Sequence, residues 1–432
     1  MSDTNHTVLN IITKMLRYLG IWSFHSTAPT VFRILHSIIR LCTISIYVLV
    51  LLGSGVDCLD NYKDLTKVTE NICLFIGSGT TIVKILIFYL RENTILKYVK
   101  DVTHSIDVLQ HSSDSQVLNV IKITGRQDIK EFWFLSIVLS IASLMRILAG
   151  RKRENGLPLP VYHPFDTSES PIHQILYILH SYCIVYNLTA LLMTDYLIVL
   201  CIKWLTVQLR IIASNYQNCD SNLVERSGFN STSLDSKTLD NQENIHTDIN
   251  DIEIKTFVPF EQVHQDHNNN DDFNDCFNER FKICVKQHQK IIKIVDELNA
   301  TFSVYMLMQV AISTGLLCFN GFQVIVGKDS SVVIKFFLGL VIALIQLLFW
   351  CWYGNNFVSM ADSLTNCQWF SGWENSYNGS LKNLLTISMI QSLRPLEFHA
   401  IGLFRFTIPT FLDIIRKSYS VFILLKQTVT TD

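Results

Sequence analysis

Charge is what this chain has least of. Only 17% of its 432 residues are Asp, Glu, Lys or Arg, where a soluble globular domain carries about a quarter. The formal net charge is −2, so no basic excess points to nucleic acid. Metal chemistry lacks its usual spacing as well. The eleven cysteines form no CxxC and no paired Cys/His pattern. Most of them, including Cys42, Cys73, Cys183, Cys201, Cys318 and Cys351, sit in apolar runs and read as small buried hydrophobes. The first 30 residues lack a long apolar segment ending in small residues, so a cleavable signal peptide is not expected. No Ser/His/Asp set or pair of carboxylates stands within the apolar segments, which argues against an enzyme. No internal repeat or matched pair of broken helices marks a transporter.

What is abundant is hydrophobic length. Apolar residues make up 49% of the chain, and seven stretches approach the roughly 20 residues a bilayer-crossing helix requires. They run Ile34–Leu52, Asn71–Leu90, Phe132–Leu148, Ile172–Leu205, Phe302–Val326, Val332–Tyr353 and Thr407–Gln427. The fourth is about 50 Å long as a helix, so it should project beyond the membrane. The seventh is the least apolar. The expected fold class is an all-α polytopic membrane protein with seven transmembrane helices and helix ends gathered into a cytosolic anchor region.

Lys and Arg set the expected orientation. Counted over the loops, 16 lie on the side of the N-terminus and 7 on the other. The N-terminus is therefore expected in the cytosol and the C-terminus outside. The sequons at Asn5, Asn230 and Asn378 then fall on the cytosolic side. A G-protein-coupled receptor, the main alternative, needs the opposite topology. The chain divides into a cytosolic N-terminal segment (1–33), four membrane helices (34–210) and an acidic loop (211–280). Two further membrane helices with a cytosolic extension follow (281–353), then an amphipathic cytosolic region (354–404). The last helix and a short outer tail complete it (405–432).

From Asp220 to Glu279 there are 14 acidic and 3 basic residues, a composition with too little apolar surface to offset ordering, so disorder is expected. His264, Asp266, His267 and Asp271 within it lack the glycine turn of a calcium loop, and the expected metal content is none. The helix after the loop puts Lys282, Lys286, Lys290 and Lys293 on one face. Phe281, Cys284, His288, Ile291 and Val295 share another. The basic face suits a solvated extension, a lipid headgroup or a calmodulin contact.

The last segment, TIPTFLDIIRKSYSVFILLKQ, spends charge inside an apolar stretch. Asp413, Lys417, Ser420, Leu424 and Thr428 recur every three or four residues and form one stripe, while Phe411, Ile415, Ser418 and Phe422 form the opposite one. Charges in a membrane helix face protein or water, so this stripe reads as pore-lining, with Leu424 a candidate hydrophobic gate. Asp413 and Lys417 also stand at i,i+4 and can pair. Pro395 and Pro409 isolate the preceding NGSLKNLLTISMIQSLRP as a separate amphipathic helix.

The stretch from Ser380 to Gln427 resembles the C-terminal signature of insect odorant receptors, specifically the ligand-tuned subunits. The resemblance lies in Lys382, Leu384 and Leu385, in Ser392–Leu393–Arg394–Pro395, in Ala400–Ile401–Gly402, and in Lys417–Ser418–Tyr419–Ser420. LRYLGIWSF, with Gly20 and Trp22, resembles the family's opening. The ending is unlike that of gustatory receptors, the second alternative, and of the obligate co-receptor. The resemblance implies an odorant-gated, non-selective cation channel in the plasma membrane of olfactory neuron dendrites. It further implies four subunits around a pore lined by the last helix, a co-receptor subunit as partner beside membrane lipid, and no cofactor. A small hydrophobic odorant would bind in the outer half of the bundle. The residues chosen there are Phe75, Ile76, Ser143, Ile147, Tyr182, Tyr186, Phe319 and Phe322, mostly aromatic or apolar side chains, some with a hydroxyl able to anchor a polar odorant. Arg146 is either a snorkelling base or an anchor for an acidic ligand.

Overall fold

A computed structural model of the chain describes residues 7–23, 29–62, 65–111, 114–151, 156–167, 169–220, 254, 257–258, 273–326, 330–375 and 379–430. Among the described residues ten α-helices follow in order: α1 Thr7–Tyr18, α2 Thr30–Asp60, α3 Leu65–Leu90, α4 Glu92–Gln110, α5 Ser115–Gly150, α6 Ile172–Gln217, α7 Phe273–Val326, α8 Ser330–Trp369, α9 Gly379–Ser392 and α10 Ile408–Thr430. Six of them, α2, α3, α5, α6, α7 and α8, are long and apolar enough to cross a membrane. Helix α10 has the length, 23 residues or about 34 Å, but its charges keep it below that apolar standard.

Several of these helices outrun a bilayer. α6 has 46 residues and α7 has 54, about 69 and 81 Å. Their inner halves, with α8, α9 and a two-residue hairpin, make a second packed region beyond the membrane. There Tyr216 meets Phe281 at 5.3 Å and Phe357 meets Phe398 at 4.8 Å. Phe281, Cys284, His288, Ile291 and Val295 are buried, while Lys282, Lys286, Lys290 and Lys293 are exposed. The hairpin pairs His399 with Arg405 and Ala400 with Phe404. It is clamped by Asn299, whose amide donates to the Glu397 carbonyl at 2.8 Å. Gly354 lets it approach: a Cβ there would stand 2.3 Å from the Phe406 carbonyl oxygen.

Helix α6 is the axis of the fold. In its most apolar window 83% of residues are buried, against 17% in α2 and in α5. The last two turn most of their apolar surface outward, as lipid-facing helices do. The N-terminal segment packs inward against the bundle. Ile12, Leu16, Ile21 and Trp22 are fully buried, and Trp22 stacks on Phe88 at 6.3 Å. An amphipathic helix buries its apolar face wherever the bundle offers one.

Three expectations need adjusting. The boundary placed at Tyr353 falls inside α8, which continues to Trp369, because nothing in that stretch interrupts backbone hydrogen bonding. The acidic loop is not wholly free of the bundle. Asn215 donates to the Val258 carbonyl at 2.7 Å and accepts from its amide at 2.8 Å, which tethers the buried Ile254 and Val258. Asp413 lies 3.7 Å from Arg416, while Lys417 stands over the Phe404 ring at 6.0 Å. Residues 221–253, 255–256 and 259–272, with His264, Asp266, His267 and Asp271, lie outside the described residues, as do Asn5, Asn230 and Asn378.

Candidate functional site

At the end of the bundle away from the α7–α8 extension, α2, α3, α5 and α6 diverge around a small cavity. Its wall includes Tyr47, Leu74, Ser78, Arg146, Ile184 and Asn187. A second small cavity adjoins it, sharing Leu74, Arg146 and Leu159 and reaching Glu70, Lys335 and Phe336. Both mix apolar side chains with polar groups, Ser78, Arg146 and Asn187 in the first and Glu70, Arg146 and Lys335 in the second. Glu70 and Lys335 form an ion pair. Asn187 accepts from Thr81. Arg146 stands where the two cavities meet.

The connection between α5 and α6 roofs this space. The Tyr162 amide donates to the Gly53 carbonyl at 3.1 Å, and a Cβ on Gly150 would come within 2.3 Å of Pro158 Cα. Glycine is therefore what allows the roof to fold back against α5. His163 stacks on the buried His180, ring centroids 5.4 Å apart. Burial holds the His163 imidazole below its ordinary pKa, so its neutral form is favoured.

None of the eight residues chosen from sequence is among those named as lining these cavities. Phe75 and Tyr182 are 46% and 45% exposed, on the outer faces of their helices, and the Tyr182 hydroxyl meets Thr43 Oγ1 at 3.1 Å. Ser143, Tyr186 and Phe322 are buried; Ile76, Ile147 and Phe319 are half-buried. The Ser143 hydroxyl is turned back onto the Leu139 carbonyl at 2.8 Å. Tyr186 donates to the Leu19 carbonyl at 3.2 Å, toward the N-terminal segment. The lining residues Leu74, Arg146, Cys183 and Asn187 are the immediate neighbours of Phe75, Ile147, Tyr182 and Tyr186. One residue is 100° around a helix.

Deeper in the bundle lies a polar cluster that hydropathy did not single out. The Lys84 ammonium, side chain 2% exposed, sits 2.7 Å from Asp195. It also donates to Gln309 at 2.5 Å and stands 4.7 Å from the Tyr305 ring centre. Tyr305 and Gln346 both donate to Asp195. The cluster joins α3, α6, α7 and α8. Its signal was present in the sequence: Lys84 and Asp195 are each a lone charge within an apolar run, and such residues are rarely incidental.

Helix α10 packs on α7 and α8. The thiol of Cys318 lies 3.4 Å from the Ser418 carbonyl, and Phe422 lies beside Gly321. Ile414 and Ser418 are buried, and Phe411, Ile415 and Phe422 are half-buried. Asp413, Lys417, Ser420 and Leu424 are exposed on the other side. The Thr428 side chain lies outside the described residues. The ten described cysteines are free, and among the described residues no group of His, Cys, Asp or Glu is placed to hold a metal.

The family model described as 7tm Odorant receptor matches residues 64–419. Among curated proteins the chain is similar to odorant receptor 85c of Drosophila melanogaster, 31% identical over 142 residues, or 33% of this chain and 36% of that one. It is also similar to Drosophila odorant receptor 85b, 27% identical over 34% of this chain and 37% of the relative. The chain thus spans a little over a third of the length of these two. Drosophila odorant receptor 47b matches more of the chain, 22% identical over 86% of it and 80% of the relative. In three dimensions the chain is similar to the insect olfactory receptor OR5 from Machilis hrabei solved in complex with eugenol. The TM-score is 0.74 at 13% identity, covering 99% of this chain and all of that one.

Proposed function

This chain belongs to the 7tm odorant receptor family, a family of multi-pass, all-α membrane proteins and not of enzymes. From that premise we propose that it is a subunit of an odorant-gated, non-selective cation channel. A small, mostly apolar odorant enters the cavity among α2, α3, α5 and α6, where Arg146 and Asn187 supply polar anchors. The paired cavities under the α5–α6 roof are the observation that carries this reading. They are small, with apolar and polar groups side by side, so a compact volatile molecule would enter by displacing lining side chains.

Occupancy reaches the pore through contiguous side chains. Leu188 borders both the outer cavity and a groove that ends on Asp195 and Gln346. The Lys84–Asp195 cluster then bears on α7 and α8, against which α10 packs. Separation of α6 from α8 on binding would shift α10 and wet the ring at Leu424. The stripe through Asp413, Lys417, Ser420, Leu424 and Thr428, its first four members exposed, faces the pore, and the remaining pore helices come from co-receptor subunits. The proposed orientation keeps the N-terminus in the cytosol, which the alternative of a G-protein-coupled receptor reverses.

Whole-cell recording against an odorant panel, with and without the co-receptor, tests the proposal. Odorant currents should appear when both subunits are present. Ser78→Phe, which fills the cavity, should raise the effective odorant concentration at least about ten-fold, about 1.4 kcal/mol, with surface expression unchanged. Responses indifferent to Ser78→Phe and Ile184→Trp would remove the ligand from this cavity.

A further inference from the structure

Arg146 points into the bundle. On α5, Ile137, Ile141, Leu144 and Leu148 are 56%, 51%, 56% and 43% exposed and form the stripe turned toward lipid. At 3.6 residues per turn, Arg146 lies about 170° around the helix from the centre of that stripe. It shares the inward face with the buried Ala142, Ser143 and Gly150. A base that snorkels to the outer headgroups runs along the lipid side of its helix. Arg146 starts from the opposite side, about 6 Å below the end of α5.

The roof closes over this face. Gly150 stands four residues beyond Arg146 and so directly above it. A Cβ on Gly150 would come within 2.3 Å of Pro158 Cα, so the α5–α6 connection rests on the turn that carries Arg146. Pro158, Leu159 and Pro160 line the second cavity together with Arg146, which borders the first as well.

Charge in this space is unbalanced. Three of the lining residues are charged: Glu70, Lys335 and Arg146. Glu70 and Lys335 pair with each other. Among the described residues Arg146 makes no ion pair and no hydrogen bond. The lining is left with one positive charge in excess, on a half-buried side chain. Other inward cations of the bundle are matched: Lys84 lies 2.7 Å from Asp195 and Lys203 lies 2.7 Å from Asp128. A cation that a membrane helix turns inward without a carboxylate is costly, and its usual reason is function.

We propose that Arg146 makes the outer cavity selective for small volatile carboxylic acids, bound as their carboxylates. The proposal rests on the reading of this cavity as the ligand site and adds the ligand's class. Carboxyl groups titrate near pH 4, so such an acid arrives at neutral pH as the anion the lining lacks. The guanidinium fork takes both carboxylate oxygens. The short apolar chain lies toward Val50, Ile184 and Leu188 in the first cavity. Glu70 does not repel it, because Lys335 already neutralises Glu70. An alcohol or ester of the same length fills the same space and leaves the charge unmatched.

The test compares hexanoate with hexanamide, a neutral molecule of nearly the same shape, on the full chain purified in detergent. Dissociation constants are measured by calorimetry at neutral pH, with Ser78→Phe, which fills the cavity, as the background for partition into micelles. Hexanoate should bind about ten-fold more tightly (about 1.4 kcal/mol). Arg146→Gln should bring hexanoate to the level of hexanamide without changing hexanamide. Arg146→Lys, which keeps the charge and loses the fork, should retain part of the preference. If Arg146→Gln fails to fold, the native chain and Arg146→Lys still decide the matter. Equal binding of the two ligands by the native chain overturns the proposal, as does no binding of hexanoate above background, or a preference that survives Arg146→Gln. Binding of hexanamide that disappears in Ser78→Phe keeps the cavity as the ligand site even then. Binding of both ligands that Ser78→Phe leaves intact removes the cavity itself, and the acid site with it. Recording with the co-receptor separates gating from binding: tight hexanoate binding without current refutes the channel reading and leaves the acid site standing.

Discussion

Replacing Asp195 by leucine removes the only carboxylate within salt-bridge reach of Lys84 among the described residues. Its ammonium is 2.7 Å from Asp195 and keeps one neutral acceptor, Gln309 at 2.5 Å, beside the Tyr305 ring. Breaking a buried pair on one side costs about 3–5 kcal/mol, because the remaining charge has nowhere to go. Tyr305 and Gln346 lose their shared acceptor, at about 1–3 kcal/mol for each orphaned donor. These terms overlap and do not simply add. Converting both members, Lys84→Met with Asp195→Leu, removes the stranded charge and should recover most of the loss. Lys97 and Glu297 provide the control: their pair is 3.3 Å apart with Lys97 60% exposed, and Lys97→Met should cost under about 1 kcal/mol. Thermal loss of the monodisperse peak in detergent, near neutral pH, ranks the four proteins. Asp195→Leu should be the least stable and Lys97→Met nearly native. The reasoning fails if Asp195→Leu melts with Lys97→Met, or if the double variant is no better than the worse single one.

The pore assignment predicts that cysteines at Asp413, Lys417, Ser420, Leu424 and Thr428 react with a polar thiol reagent faster in open channels than cysteines at Phe411, Ile415 and Phe422; equal rates on both faces would refute it. Leu424→Ser should raise current in the absence of odorant, since a hydroxyl wets a hydrophobic constriction. Deleting residues 221–252 should leave surface expression and melting unchanged. Extending the deletion through Val258 strands buried Asn215 and should cost about 1–3 kcal/mol, read by the same melting assay. Because burial depresses the His163 pKa, the roof's stability is complete above about pH 6.5, the unfolded value, and falls as pH drops below it. Hydrogen-exchange protection across residues 156–167, the observed rate set against the intrinsic rate at each pH, should fall accordingly, and pH-independent protection would exclude the His163–His180 stack as its anchor. A glycosylation tag after Asp432 should be modified while Asn230 is not, and sugar at Asn230 would invert the topology.

The linear chain determined the helices and the bilayer as their solvent, because long apolar runs have no other way to satisfy their backbone groups in hydrocarbon. It also determined the face of α7 that carries Phe281, Cys284 and His288, since outside the membrane an inward face is apolar and an outward one charged. Within the bilayer that contrast disappears. Lipid is as apolar as a helix interface, so hydropathy cannot tell Leu74, which lines the cavity, from Phe75 beside it, which points outward. The choice is made by how α2, α3, α5 and α6 cross. The same holds for charge. Lys84 and Asp195 are 111 positions apart and look like two isolated costs in sequence; packing makes them one satisfied cluster. The roof over the cavity, held by Gly53, Gly150 and the stacked His163 and His180, likewise exists only in three dimensions. Its contacts join an irregular connection to helices whose own periodicity says nothing about what lies across their ends.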